Sequence, residues 1–180
     1  MIIPSTRLFT AGEVETGAYL NSAVTNLGNF MLGKPIAQAI TTVTTQSFAI
    51  GTAAAVTFAS SPINRDNNWV VGSPTKLTAN TAGWYWLSGE LYWANTAATV
   101  RGTYLYVNGT TAVNGSNCVT SVASVYFSSI SNGFVYLNSG DYVELWGRAN
   151  GTATTPANPA SVLGSGSSVS ASLTAIWVSS

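Results

Sequence analysis

The chain has 180 residues, a formal net charge of zero and only 7 % charged residues, against roughly a quarter in an ordinary globular sequence. That length accommodates one domain with an appendage but not two ordinary domains, and the 46 % hydrophobic content separates it from disordered chains. The six basic residues are scattered singly, which excludes a phosphate-binding stripe or a polybasic membrane patch; nucleic acid and membrane insertion are not expected.

The absence of histidine removes Ser-His and Cys-His nucleophile pairs. Two aspartates, four glutamates and one cysteine never fall at metal-ligand spacing, so no metal or other cofactor is expected. Cys118 alone cannot form an intramolecular disulfide and reads as a buried thiol, leaving stability to packing and to association. No charged segment followed by a long apolar one opens the chain, so it is expected to be made and assembled in the cytoplasm of the producing cell.

In chain order, Met1 to Phe9 reads as an extended arm. Thr10 and Glu13 fit a capping box for a helix expected to run to about Leu32, stopped by Gly33 and Pro35. Leu20, Val24, Leu27 and Met31 form a seam at steps of four, three and four, flanked by Tyr19, Ala23 and Phe30. Gly17, Gly28 and several Asn and Thr residues each disfavour helix by up to about 1 kcal/mol, so this helix needs a partner surface. Its own domain, other copies of the chain and another protein all remain open as that surface.

Strand signals take over from Ile36. Ala37 to Phe48 alternates, Ala53 to Ala59 is a short apolar strand, and Ser60 to Pro74 reads as a polar connection before Lys76 to Thr78. The most strongly patterned run is Thr81 to Trp93, where Tyr85, Leu87, Leu91 and Trp93 face one way and Trp84, Trp86, Ser88, Glu90 and Tyr92 the other. Both faces carry large apolar groups, so a second surface, most simply another copy, is expected over the face that the core does not use.

Beyond it come Arg101 to Val107 and a turn at Asn108-Gly109, then strands at Val119 to Ile130 and Gly133 to Leu137. After a turn at Ser139-Gly140-Asp141 the run Tyr142 to Gly147 is a strand, Asn150 to Ser168 a long surface loop, and Ser170 to Val178 the closing strand, expected in the middle of a sheet. The Asn-Gly pairs make Asn108, Asn114 and Asn150 turn residues rather than glycosylation acceptors. Eight or more short strands without repeats give an all-β antiparallel jelly-roll sandwich at 36–180, preceded by an N-terminal arm and one helix at 1–35.

The order of motifs in this sandwich resembles the trimeric jelly-roll superfamily that includes tumour necrosis factor and the globular head of the first complement component. The likeness rests on the Gly-aromatic-Tyr strand of Thr81 to Leu91, the strand ending in Asn108-Gly109, the run Leu137-Asn-Ser-Gly140-Asp141-Tyr-Val143 and the final strand to Trp177. It spans roughly Ala53 to Val178 and implies a homotrimer. In that fold the strands carrying Trp84 and Trp146 are expected side by side in the inner sheet, which places Trp84, Trp86, Glu90, Tyr92, Tyr142, Glu144, Trp146 and Arg148 at the three-fold contact.

Glu90 and Glu144 lie among aromatics, as the paired carboxylates of glycosidases do. Because a lone buried carboxylate would cost several kcal/mol, they read better as acceptors for Arg148, Arg101 or aromatic hydroxyls, and the chain as no enzyme.

The opening run Arg7-Leu-Phe-Thr-Ala-Gly-Glu-Val-Glu-Thr-Gly-Ala-Tyr-Leu-Asn resembles the start of small virion proteins of tailed bacteriophages, of the minor tail, head-fibre or decoration type. That resemblance implies a virion component anchored to capsid or tail through Phe9, Val14, Tyr19, Leu20, Val24, Leu27, Phe30 and Met31, with an exposed head. The alternative is a module of the same fold that binds a host-surface glycan or protein through the loops 60–74 and 150–168.

Overall fold

The computed structural model describes residues 17–42, 45–94, 100–113, 117–120, 126–155 and 169–180. Two antiparallel sheets carry the fold. The first is ordered β10 (Phe127–Leu137), β6 (Gly83–Trp93), β13 (Val169–Ser179), β1 (Ile36–Thr42) and β4 (Ser60–Asn64). The second is ordered β3 (Ala54–Ala55), β11 (Tyr142–Ala149), β7 (Val100–Val107) and β8 (Thr111–Ala112), with β5 (Lys76–Thr78) also pairing β11 and β9 (Asn117–Thr120) also pairing β7. A two-stranded ladder joins β2 (Ser47–Phe48) to β12 (Ala153–Thr154).

The alternation read for β6 holds: Tyr85, Leu87, Leu91 and Trp93 are buried and meet Val143 and Leu145 of β11 and Leu105 of β7 in one core cluster. Glycines let the two layers close. A Cβ at Gly89 would sit 2.4 Å from Leu145 Cδ1, and one at Gly147 would sit 2.6 Å from the Phe48 ring and 2.8 Å from Leu91 Cδ2. The last strand occupies the position expected for it, inside the first sheet between β6 and β1.

Several boundaries differ from the sequence reading. The alternating stretch 37–48 divides because β1 ladders with β13 and β4 while β2 leaves that sheet for β12. The segment read as a polar connection, 60–74, opens with β4, which among the described residues pairs only with β1, an edge position that tolerates Pro62. Of the apolar strand at 53–59 only Ala54 and Ala55 join the ladder of β11. Gly133 does not interrupt β10, which follows β6 residue for residue from Phe127 opposite Trp93 to Leu137 opposite Gly83. The loop expected at 150–168 contributes β12, and its residues 156–168 lie outside those described.

The helix, α1, spans Gly17–Leu32; the expected cap at Thr10 and Glu13 lies outside the described residues. The Gly33 amide closes its last turn on the Asn29 carbonyl at 2.8 Å, and the Pro35 carbonyl already accepts from Trp177 N in the first sheet at 2.9 Å. At the Asn108-Gly109 turn both residues adopt positive φ, 53° and 70°, the geometry that Asn-Gly favours between antiparallel strands.

Gly83 combines a φ of +146° with a position where a Cβ would lie 2.4 Å from both the Ser179 carbonyl and Trp177 Nε1. Because the first of these is backbone held in the ladder, Gly83→Ala is expected to destabilise the fold by about 2–3 kcal/mol in urea denaturation, with a lower midpoint at unchanged slope.

Candidate functional site

The outward face of the first sheet carries the aromatic row expected from β6, extended by β10. Trp84 lies opposite Tyr136 with ring centroids 5.8 Å apart, and Trp86 opposite Phe134 at 4.7 Å. Phe134 is 60 % exposed and Trp84 and Tyr136 are each 46 % exposed, while Ile130, opposite Glu90, adds a further apolar side chain. Glu90 accepts a hydrogen bond from the Tyr92 hydroxyl; burial and that carboxylate together hold the phenol above its ordinary pKa.

Strand β10 mixes polar and apolar side chains on both faces: Leu137 and the partly buried Phe127 and Val135 pack toward the core, while Ser128 and Asn132 lie on the outer side. Its residues Ser129 and Ser131 point into the core and are fully buried, while Ile130, Phe134 and Tyr136 point away from it. Ser129 Oγ is held in the core by Trp93 Nε1 at 2.8 Å and by the Thr103 hydroxyl. A sheet facing water places its polar residues outward. Period-two alternation sets Phe134 and Tyr136 on one face of their strand but does not say that this face is the outer one.

The expectation that β6 and β11 are neighbours does not hold. β11 belongs to the second sheet, between β3 and β7, so Tyr142, Glu144, Trp146 and Arg148 share one face with one another but lie on the opposite outer surface from Trp84, Trp86, Glu90 and Tyr92. Period-two alternation fixes which residues share a face of their own strand, not which sheet that strand joins. The two glutamates are therefore not a pair across one cleft.

Among the described residues, Glu144 takes neither of the arginines foreseen as partners for the carboxylates, nor an aromatic hydroxyl. Glu144 accepts from Thr75 Oγ1 at 2.7 Å and from Trp146 Nε1 at 3.2 Å. Arg148 donates through Nε to the Gly51 carbonyl at 3.2 Å, and Arg101 donates through Nη1 to the Ala94 carbonyl at 2.6 Å. Arg101 is fully buried between the rings of Trp93 and Phe127, with its guanidinium carbon 5.7 and 5.3 Å from their centroids, and burial lowers its pKa. Nothing in the sequence distinguished it from a surface arginine.

On the second sheet's outward face Tyr104, Tyr106 and Trp146 form a continuous row, with centroids 6.5 and 5.1 Å apart. Lys76 Nζ stands 3.8 Å over the Tyr142 ring. Cys118, expected to be buried, is exposed on this face, 3.1 Å from the Tyr104 hydroxyl; that contact and burial raise the phenol's pKa. The Tyr104 ring occupies the space beside the thiol.

Of the residues expected in the N-terminal anchor, Val24 and Leu27 are 63 % and 53 % exposed on α1. Phe9 and Val14, and the side chains of Tyr19, Leu20, Phe30 and Met31, lie outside what is described. No described helix is long and apolar enough to cross a membrane, and the described residues hold no group of three or more metal-ligating side chains.

With this geometry in view, the chain is similar to the globular domain of zebrafish complement 1qA protein, with a TM-score of 0.57 and 16 % identity over 81 % of this chain and 97 % of that one. It is also similar to murine APRIL at pH 5.0, at 0.58 and 14 % over 81 % and 99 % of the two chains, and at pH 8.0, at 0.51 and 16 % over 80 % and 98 %. The fold is a jelly roll of the complement and tumour-necrosis-factor type. No protein-family model and no curated protein matches the sequence.

The Leu137 to Val143 run that carried the sequence resemblance has a structural task in this fold. Asp141 accepts from Asn108 Nδ2 at 2.8 Å, from the Asn138 amide at 2.7 Å and from Asn138 Nδ2 at 3.2 Å, while Asn108 Oδ1 accepts from Tyr142 N at 3.0 Å. The two turns are thereby tied together, and these donors, Asn108 foremost, hold the Asp141 carboxyl below its ordinary pKa. A lowered folded-state pKa gives stability that is fully present above the unfolded value, near 4, and is lost as pH falls through the lowered one. Asp141→Asn is expected to cost roughly 0.5–1 kcal/mol at pH 7 after solvent screening, with the difference from wild type narrowing as pH falls below about 4 in urea denaturation.

Proposed function

We propose that the chain is a non-enzymatic structural component of a bacteriophage virion, a homotrimer held to capsid or tail by its N-terminal segment, with the jelly-roll head exposed. The observation that carries the self-association is the exposed aromatic surface shared by β10 and β6, where Phe134 and Tyr136 lie on the outside beside Trp84 and Trp86. Leaving that face in water forgoes about 2 kcal/mol per large side chain, and covering it with the same face of other copies recovers it. The contact in this proposal comprises Trp84, Trp86, Glu90 and Tyr92 of β6 with Ile130, Phe134 and Tyr136 of β10. The four outward residues of β11 stand outside it.

The virion assignment is supported by the likeness of Arg7 to Asn21 to small phage virion proteins and by a helix whose described side chains are exposed, including Val24 and Leu27. The second reading, a module that binds a host-surface glycan or protein, is favoured by one observation of its own: a separate aromatic row, Tyr104, Tyr106 and Trp146, on the surface that a trimer built on β6 and β10 leaves free.

Light scattering of the intact chain and of a version starting at Ile36 tests the proposal. Both are expected to be trimers, and Phe134→Asp is expected to reduce the mass to one third while its circular dichroism stays unchanged. A monomeric wild type would end the trimer reading. Virion incorporation after removal of Met1 to Gly33 is expected to be lost; undiminished incorporation would end the anchor.

A further inference from the structure

The second sheet's outward face holds a cleft that the self-association does not use. Gly102 of β7 lies directly opposite Arg148 of β11, beside a hollow of about 280 Å³ lined by Val100, Gly102, Tyr104, Cys118, Arg148 and Asn150. The space a Cβ at Gly102 would take is filled by Tyr104 and Cys118, whose hydroxyl and Sγ would lie 2.7 and 2.8 Å from it. The row Tyr104, Tyr106 and Trp146 runs on from its rim, with Trp146 paired to Tyr104 across the ladder.

Charge on this face has one sign to offer. Arg148 is exposed, and its described hydrogen bond, from Nε to the Gly51 carbonyl, leaves the terminal amino groups available. Lys76 lies on the same face over Tyr142. The face's carboxylate, Glu144, is only 6 % exposed and is already engaged by Thr75 and Trp146. A group entering the hollow therefore meets the Arg148 guanidinium beside the partly exposed Tyr104 and the aromatic row that continues from it.

We propose that this cleft and its aromatic row bind a carboxylated saccharide, with the sugar's C–H face on Tyr104 and Trp146 and its carboxylate on Arg148. A pyranose presents a patch of weakly positive C–H bonds that matches the negative face of an aromatic ring, while its hydroxyls need polar partners at the ring's edge. The planar guanidinium supplies two parallel donors to a carboxylate, which distinguishes an acidic sugar from a neutral one. The inference deepens the binding-module reading and rests on it. It places the ligand on a sheet face rather than in the loops 60–74 and 150–168.

The test is calorimetric titration, with saturation-transfer NMR, of the intact chain against trigalacturonate as the acidic probe and maltotriose as the neutral one. Saturable binding of trigalacturonate is expected, with maltotriose at least about tenfold weaker, and Arg148→Gln is expected to remove about that factor from the acidic probe alone. Arg148→Gln alters an exposed side chain and is expected to fold. Failure of trigalacturonate to bind, equal binding of the two probes, or unchanged affinity in Arg148→Gln would overturn the proposal. Phe134→Asp, on the opposite sheet, is expected to keep the wild-type affinity per protomer whatever its mass, so trimer and saccharide site are judged separately. Loss of binding in that variant with Arg148→Gln unaffected would move the site to the first sheet and overturn the assignment made here.

Discussion

The ladder that β6 makes with β10 on one side and β13 on the other is the constraint on which the rest of the molecule depends. It joins segments from the middle and the end of the sequence over nearly the full length of an eleven-residue strand, with its backbone donors and acceptors paired along both edges. Once that register is set, alternation drives Tyr85, Leu87, Leu91 and Trp93 into the core and Trp84, Trp86, Glu90 and Tyr92 out of it. A slip by one residue would exchange the two sets, burying Glu90 in place of Leu91.

The second sheet packs onto this ladder only as closely as its side chains allow. Gly89 on β6 and Gly147 on β11 mark where Leu145, Leu91 and Phe48 use the space a Cβ would take. The layers meet through leucines and aromatics at one level and through a polar cluster at another, where Arg101, Thr103, Ser129 and the Trp93 indole are buried together. Burying an arginine is costly in isolation. Here the Ala94 carbonyl accepts from it and two rings flank it, so the cost is offset by hydrogen bonding and by ring contact.

A sandwich has two outer surfaces, and this one furnishes both with aromatics of different character. On the first sheet the rings pair across strands, with Ile130 extending the apolar surface, as suits contact with another protein surface. On the second they are mostly tyrosines with hydroxyl tips, interleaved with Lys76, Glu144 and Arg148 and bordering a hollow at Gly102. Such groups can meet a polar ligand without first being desolvated completely. The two aromatic surfaces lie on opposite sides of the sandwich, so a contact made by one leaves the other uncovered.

The sequence by itself determined the class of fold, the two faces of Thr81 to Trp93, the turns at Asn108 and Asp141, and the internal place of the last strand. These follow from local rules: a side-chain period of two, the turn geometry that Asn and Gly tolerate, and the need to bury apolar stripes. Only the tertiary structure decided that β11 lies in the other sheet from β6, that Ser60 to Asn64 is an edge strand, that Cys118 is exposed and that Arg101 is buried. Sheet membership depends on backbone pairing between residues far apart in the chain, and side-chain alternation is the same whichever partner a strand takes. The residues Trp84, Trp86, Glu90 and Tyr92 therefore lie on one sheet and Tyr142, Glu144, Trp146 and Arg148 on the other.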